Sequence, residues 1–244
     1  MKNWLSFIAF FCLTLSTAQQ KEALYNIIEN ISFAELKKSI HTLANFGTRH
    51  TLSDTLSETR GIGAARRWIK NEFNTISKNC SDCLDVFYQK NYFTPKDGDR
   101  IVKPVWINNV VAIQRGKTHP NRFIVMSGDI DSRISDPSNY IDDSPGANDN
   151  ATGMAGTIET ARVLSKYTFE NSILYVGLAG EEQGLFGGKG LAKHAKEKGW
   201  EIIGILNNDM IGNITGVDGV IDNRSFRIFS EPVPANETES QRKA

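Results

Sequence analysis

Between residues 122 and 207 the chain alternates between two hydrophobic periods, and this alternation narrows its possible folds more than any other feature. Residues 122–127 (RFIVMS), 172–179 (SILYVGLA) and 201–207 (EIIGILN) are short apolar runs. Residues 151–166 and 188–198, which separate them, carry helical patterning. Apolar strands joined through helices of roughly 10–15 residues are βαβ units. Near-continuous apolar strands must be buried on both sides, so the expected architecture is α/β, a mainly parallel mixed sheet with helices on both faces.

Upstream, residues 84–92 and 106–114 (WINNVVAIQ) also read as strands, and residues 116–120 read as the turn into the next one. Residues 20–46 are helical in pattern, with a second turn pattern starting at Phe33, and Gly47-Thr-Arg-His50 breaks them. A further amphipathic helix is expected over 57–77, with Ala64, Ala65, Trp68, Ile69 and Phe73 on one side. Lys and Arg number 28 against 28 Asp and Glu, and hydrophobic residues make up 40%. That balance supplies no electrostatic footprint for nucleic acid and is unlike a disordered tail.

Residues 1–18 read as a signal peptide: Lys2, then the apolar run 4–16, then small residues ending at Ala18. The apolar run is shorter than the roughly 20 residues that span a bilayer, so an exported protein free of the membrane after cleavage is expected. Residues 19–244 then read as a single domain. Cleavage removes Cys12 and leaves Cys80 and Cys83, whose spacing in an exported protein predicts a local disulfide. A zinc half-site would need a second cysteine pair, and the chain has none.

With the strands placed, the acids fall into order. Asp129 and Asp131 follow the first of the three apolar runs, Glu181 and Glu182 the second, and Asp209 the third. Asp149 sits in Pro-Gly-Ala-Asn-Asp, a tight turn that delivers an acid onto a helix start. The C-terminal ends of parallel strands share one edge, where ligands bind in such sheets. Six converging carboxylates repel one another unless their pKa values rise or cations neutralise them. A helix dipole contributes only about 0.3–1 kcal/mol, too little for six charges. A metal site is the expectation.

The segments GDIDSR, PGANDNATG, AGEEQGLFG and NNDM, in that order and spacing within residues 101–219, resemble the co-catalytic zinc aminopeptidases, family twenty-eight of the metallopeptidases. The resemblance implies the phosphorylase/hydrolase-like α/β fold and two divalent metal ions, zinc by family habit. Carried over, it implies that Asp149 bridges the two ions, Glu182 and Asp209 bind one each, Glu181 is the general base and Asp131 orients the first ligand. A strained or cis peptide after Asp149 is also implied. Substrates would be peptides with a free N-terminus, whose amine pairs with the acidic cluster.

The chain departs from the family pattern twice. Asp129 stands where a His is usual, and the later His that ends the second metal's ligand set has no counterpart among His41, His50, His119 and His194. One ion would see Asp129, Asp149 and Asp209, an oxygen-only set that leans towards Mn or Mg relative to zinc. The other would see Asp149 and Glu182 alone. His50 is a candidate pocket residue, His194 a surface helix residue, and His119 a turn residue without a role. The polar ending 232–244 suggests a domain incomplete at its C-terminal end, with the missing His beyond Ala244. Two other readings stay open: an exported domain that keeps the fold without catalysis, and carboxypeptidase or glutaminyl cyclase chemistry on the same scaffold. A dinucleotide site at Gly61-Ile-Gly63 fails for want of a preceding strand, and Asp129-Ile-Asp131 lacks the glycine and final Glu of an EF-hand loop.

Overall fold

The computed structural model describes residues 22–96 and 99–230. The expected signal peptide lies outside them. Two compact units divide after Gly212. The first holds a five-stranded sheet and its helices. In the second, Thr215 and Ile221 form an isolated antiparallel bridge, closed by the Gly216 N–H donating to the Val220 carbonyl at 2.8 Å.

In chain order the first unit contains α1 (Phe33–Ala44), α2 (Gly61–Asn79), β1 (Leu84–Phe93), β2 (Val105–Gln114), β3 (His119–Asp129), α3 (Gly153–Leu164), β4 (Asn171–Leu178), α4 (Phe186–Glu197) and β5 (Glu201–Asn208). The sheet order is β1-β2-β4-β3-β5. β3 pairs in parallel with both β4 and β5, whereas β1–β2 and β2–β4 are antiparallel. The register Gly128↔Gly177 and Gly128↔Asn208 brings the C-terminal ends of β3, β4 and β5 to one level.

Side chains alternate across the pleat, so each central strand feeds two cores. On one face Val110, Ala112, Ile173 and Tyr175 pack with Leu43, Ile69, Phe73, Met154 and Ile158 from α1, α2 and α3. On the other, Val111, Ile113, Phe123, Val125, Leu174 and Val176 pack with Leu191 of α4 and with Trp200. β1 and β5 are the edge strands, and Ile205 and Leu206 of β5 are more than half exposed. Cys80 and Cys83 are joined by a disulfide just after α2.

Several boundaries differ from the sequence reading for local reasons. α2 starts at Gly61, not at residue 57, because Asp54 Oδ1 accepts the N–H groups of Leu56 and Ser57 and Ser57 Oγ accepts that of Arg60. Side chains that bond nearby backbone in this way hold it in turns. His119 is not in a turn but opens β3 opposite Asn171, with a register shift before Phe123. Regular helix begins at Gly153 because residues Ala147–Thr152 form a wider, π-type turn. No helix among the described residues is long and apolar enough to cross a membrane.

Close approach of backbones fixes where the acids sit. A Cβ on Gly153 would lie 2.1 Å from the Asn208 carbonyl oxygen at the end of β5. Overpacking of this kind costs about 1–3 kcal/mol. Gly188, also helical, has open space at its Cβ position. Gly153→Ala is therefore expected to lower stability in urea unfolding by about 2 kcal/mol, and Gly188→Ala to raise it by about 0.5 kcal/mol. Equal effects would contradict the packing described.

Candidate active site

The six acids converge on the rim formed by the ends of β3, β4 and β5. Asp129 is the last residue of β3, and Asp131 follows two residues later. Glu181 and Glu182 occupy the loop from β4 into α4, and Asp209 follows β5. Asp149 lies in the π-type turn, after Gly146 at φ +46°, where a Cβ would meet the Asp149 carbonyl oxygen at 2.3 Å. Only glycine fits that turn. The peptide between Asp149 and Asn150 is cis.

Three polar side chains lock these loops together. Buried Asn150 donates through Nδ2 to Asp129 Oδ2 and to the Asn208 carbonyl, both at 2.9 Å, while its Oδ1 accepts the Gly153 N–H at 3.0 Å. Asp131 is fully buried and accepts the backbone N–H groups of Glu181 and Glu182, each at 3.1 Å. Asn109 accepts the Ala179 N–H at 3.0 Å and donates to the Gly187 carbonyl at 2.9 Å, which ties down both ends of the loop carrying the glutamates.

Burial and mutual repulsion act on the carboxyls in the same direction. Burial, reinforced by Asp131, pushes Asp129 up to about 8. Burial pushes Asp131 up to about 6 against the two N–H groups that it accepts. Glu181 rises to about 7 through burial and then through Asp131, Glu182, Asp209 and Asp149. Glu182 and Asp209 also rise through burial, with Asp149 adding to both. Glu182 is partly compensated by Arg133, whose Nε donates to its Oε2 at 2.6 Å.

The donor chemistry fits a divalent cation. Asp129 Oδ1 is buried without a hydrogen-bond partner, an orphaned lone-pair site of the kind a cation satisfies. As the side chains lie, no three His, Cys, Asp or Glu groups among the described residues stand close enough to hold one ion. The contacts of Glu182 with Arg133 and of Asp129 with Asn150 are what hold two of these carboxylates in their present positions. An open cleft of about 580 Å³ beside them is lined by Arg100, Arg133, Glu181, Glu182 and Leu185 among others.

The histidines do not join the acids. His50 is fully buried, its Nδ1 accepting the Leu52 N–H at 3.0 Å and its Nε2 within reach of the Pro137 carbonyl at 2.9 Å and of Gln183 Nε2 at 3.2 Å, and it is not among the residues that line the cleft beside the acids. His194 stacks edge-on against Trp200 at 5.3 Å, and His119 lies at the opposite end of β3 from Asp129. The supporting residues Arg49, Asn109, Asn150, Thr51 (its hydroxyl 3.4 Å from Asp131 Oδ2 and 2.5 Å from Gln183 Oε1) and Gln183 escape a reading built on acids. Asn150 and Gln183 do stand beside acids in sequence, a signal that could have marked them.

A mixed sheet of this topology, with acids gathered at its parallel strand ends, defines an α/β fold with its candidate site at one rim. Residues 109–224 of the chain match the model of Peptidase family M28. The chain is 38% identical over 219 residues to a protein of Pyrenophora teres f. teres named "Probable zinc metalloprotease", covering 90% of this chain and 47% of that one. It spans about half the length of the curated relatives it matches. Among solved structures it is similar to the LapA aminopeptidase of Legionella pneumophila, at 17% identity and TM-score 0.56, covering 76% of this chain and 44% of that one. It is likewise similar to the glutaminyl cyclase of Porphyromonas gingivalis, at 19% identity and TM-score 0.57, covering 75% and 60%. Both likenesses concern the fold.

Raised carboxyls make a pH prediction with a definite sign. Asp129, Glu181 and Asp131 hold protons in the folded, metal-free protein that the unfolded chain has already released above about pH 4. Their contribution to stability is complete at the acid end and is lost as pH rises through about 6, 7 and 8. Thermal melting of metal-free protein should thus fall by at least about 3 °C between pH 5 and pH 8. Added zinc should flatten that fall. A metal-free melting temperature that rises over the same range would contradict the assignment.

Proposed function

We propose that the chain is the metal-binding part of an exported zinc exopeptidase of aminopeptidase type, acting on peptides with a free N-terminus. The observation that carries this reading is the placement of Glu181: it lines the cleft together with Glu182, with its backbone N–H anchored on buried Asp131. A carboxylate held in this way is suited both to take a proton and to return it. The relatives named as zinc metalloproteases support the choice of zinc.

In this reading Asp149 would be shared by two ions, Glu182 would help hold one, and Asp129 and Asp209 would help hold the other. Zinc, when bound, polarises the scissile carbonyl and lowers the pKa of a neighbouring water. Glu181 takes the water's proton and passes it to the departing amine nitrogen. Asp131 fixes the backbone of both glutamates and so sets the direction of the Glu181 carboxylate. Asn150 fixes Asp129 relative to β5. The negative field of the acidic cluster attracts the substrate's terminal ammonium, which favours cleavage at the N-terminus over internal bonds. Export follows from the expected signal peptide at residues 1–18.

Glu181→Gln keeps the size of the side chain but cannot take the proton. It should leave zinc content unchanged and reduce turnover of aminoacyl substrates by at least about 10²-fold, measured by metal analysis alongside a chromogenic assay. Unchanged turnover would remove Glu181 from the reaction, and loss of zinc would make it a ligand.

A further inference from the structure

The backbone between Asp131 and Gly146 runs sixteen residues without helix or strand, yet it delivers Asp149 to the rim. Loops of this length inside a compact unit need external anchors. Here the anchors come from the segment just after α1. The Ser144 N–H donates to the Gly47 carbonyl at 2.7 Å, the Arg49 N–H to Ser132 Oγ at 3.2 Å, and Arg60 Nη1 to Asp143 Oδ1 at 2.6 Å.

Arg49 is the centre of this strap. Its side chain is fully buried and uses four of its five N–H groups on backbone carbonyls: Nε on Ile130 at 2.8 Å, Nη1 on Leu43 at 3.0 Å and Pro145 at 2.6 Å, Nη2 on Gly146 at 3.0 Å. Ile130 lies between Asp129 and Asp131, and Gly146 makes the left-handed turn before Asp149. One rigid planar group therefore sets the distance between the β3 acids and the bridging acid. Among the described residues Arg49 forms no ion pair at contact distance. A buried cation without a contact partner is costly, and the charges that favour it are Asp131 and Asp149. Its position makes sense as a fixed counter-charge behind the acidic rim. A lysine keeps the charge but cannot reach four carbonyls in a plane.

We propose that Arg49 is a positioning residue that holds Asp149 in register with Asp129 and Asp131 for binding a divalent cation. The inference rests on the metal-dependent reading above. The test is zinc affinity of the full chain, by competition with a chromogenic chelator, for wild type, Arg49→Lys and Arg49→Met, with melting of each metal-free protein recorded beside it. Both variants are expected to fold and to bind zinc about 10–100-fold more weakly, the usual effect of removing an outer support of a metal site. Arg49→Lys should not restore wild-type affinity. A folded Arg49→Lys with wild-type affinity overturns the proposal, and so does failure of both variants to fold, which would make Arg49 a folding residue only. Wild-type protein that binds no zinc would overturn the metal-dependent reading itself.

Discussion

Repulsion among carboxylates is the constraint that the rest of the structure answers to. Parallel strands must end at one level, and this chain ends three of them in acids. Placing Asp129 and Asp131 in nearly dry surroundings with Glu181 nearby pushes all three up in pKa. Such an arrangement gains nothing for stability near neutral pH. It persists because the surrounding backbone over-determines it: Asn150 bonds β3, β5 and the helix start at once, and Asp131 grips the loop after β4.

That over-determination is expressed in close backbone approaches. Gly146 and Gly153 stand where a methyl group would collide with carbonyl oxygens of Asp149 and Asn208. The acids are thereby delivered by elements that cannot easily move apart. Their side chains, in contrast, have alternatives: Glu182 leans on Arg133, and Asp129 leaves one oxygen without a partner. A rigid frame carrying side chains that can still turn is suited to a site that closes on a cation. This separates what the fold supplies from what binding would supply.

Much of this was legible in the sequence because burial on both faces writes itself as apolar runs. β4 and its neighbours announce themselves that way, and the acids at their ends follow from counting. The antiparallel pairing of β2 with β4 was not legible, since register between strands far apart in sequence is a matter of tertiary packing. Nor was the start of α2, where Asp54 and Ser57 bond the backbone into turns despite helical patterning. Arg49 was invisible for another reason. An arginine in a Gly-Thr-Arg-His loop has the signature of a solvated charge, and only its four carbonyl partners, 6 to 97 residues away in sequence, show otherwise.

The central claim is that Asp149 and the acids at the strand ends share cations. The most direct measurement is diffraction from zinc-loaded crystals at wavelengths on either side of the zinc absorption edge. The account predicts anomalous peaks within bonding distance of Asp149 carboxylate oxygens, with Asp209 and Glu182 turned towards them. Peaks located elsewhere, or a rim that stays free of zinc while the ion binds at another surface, would contradict it.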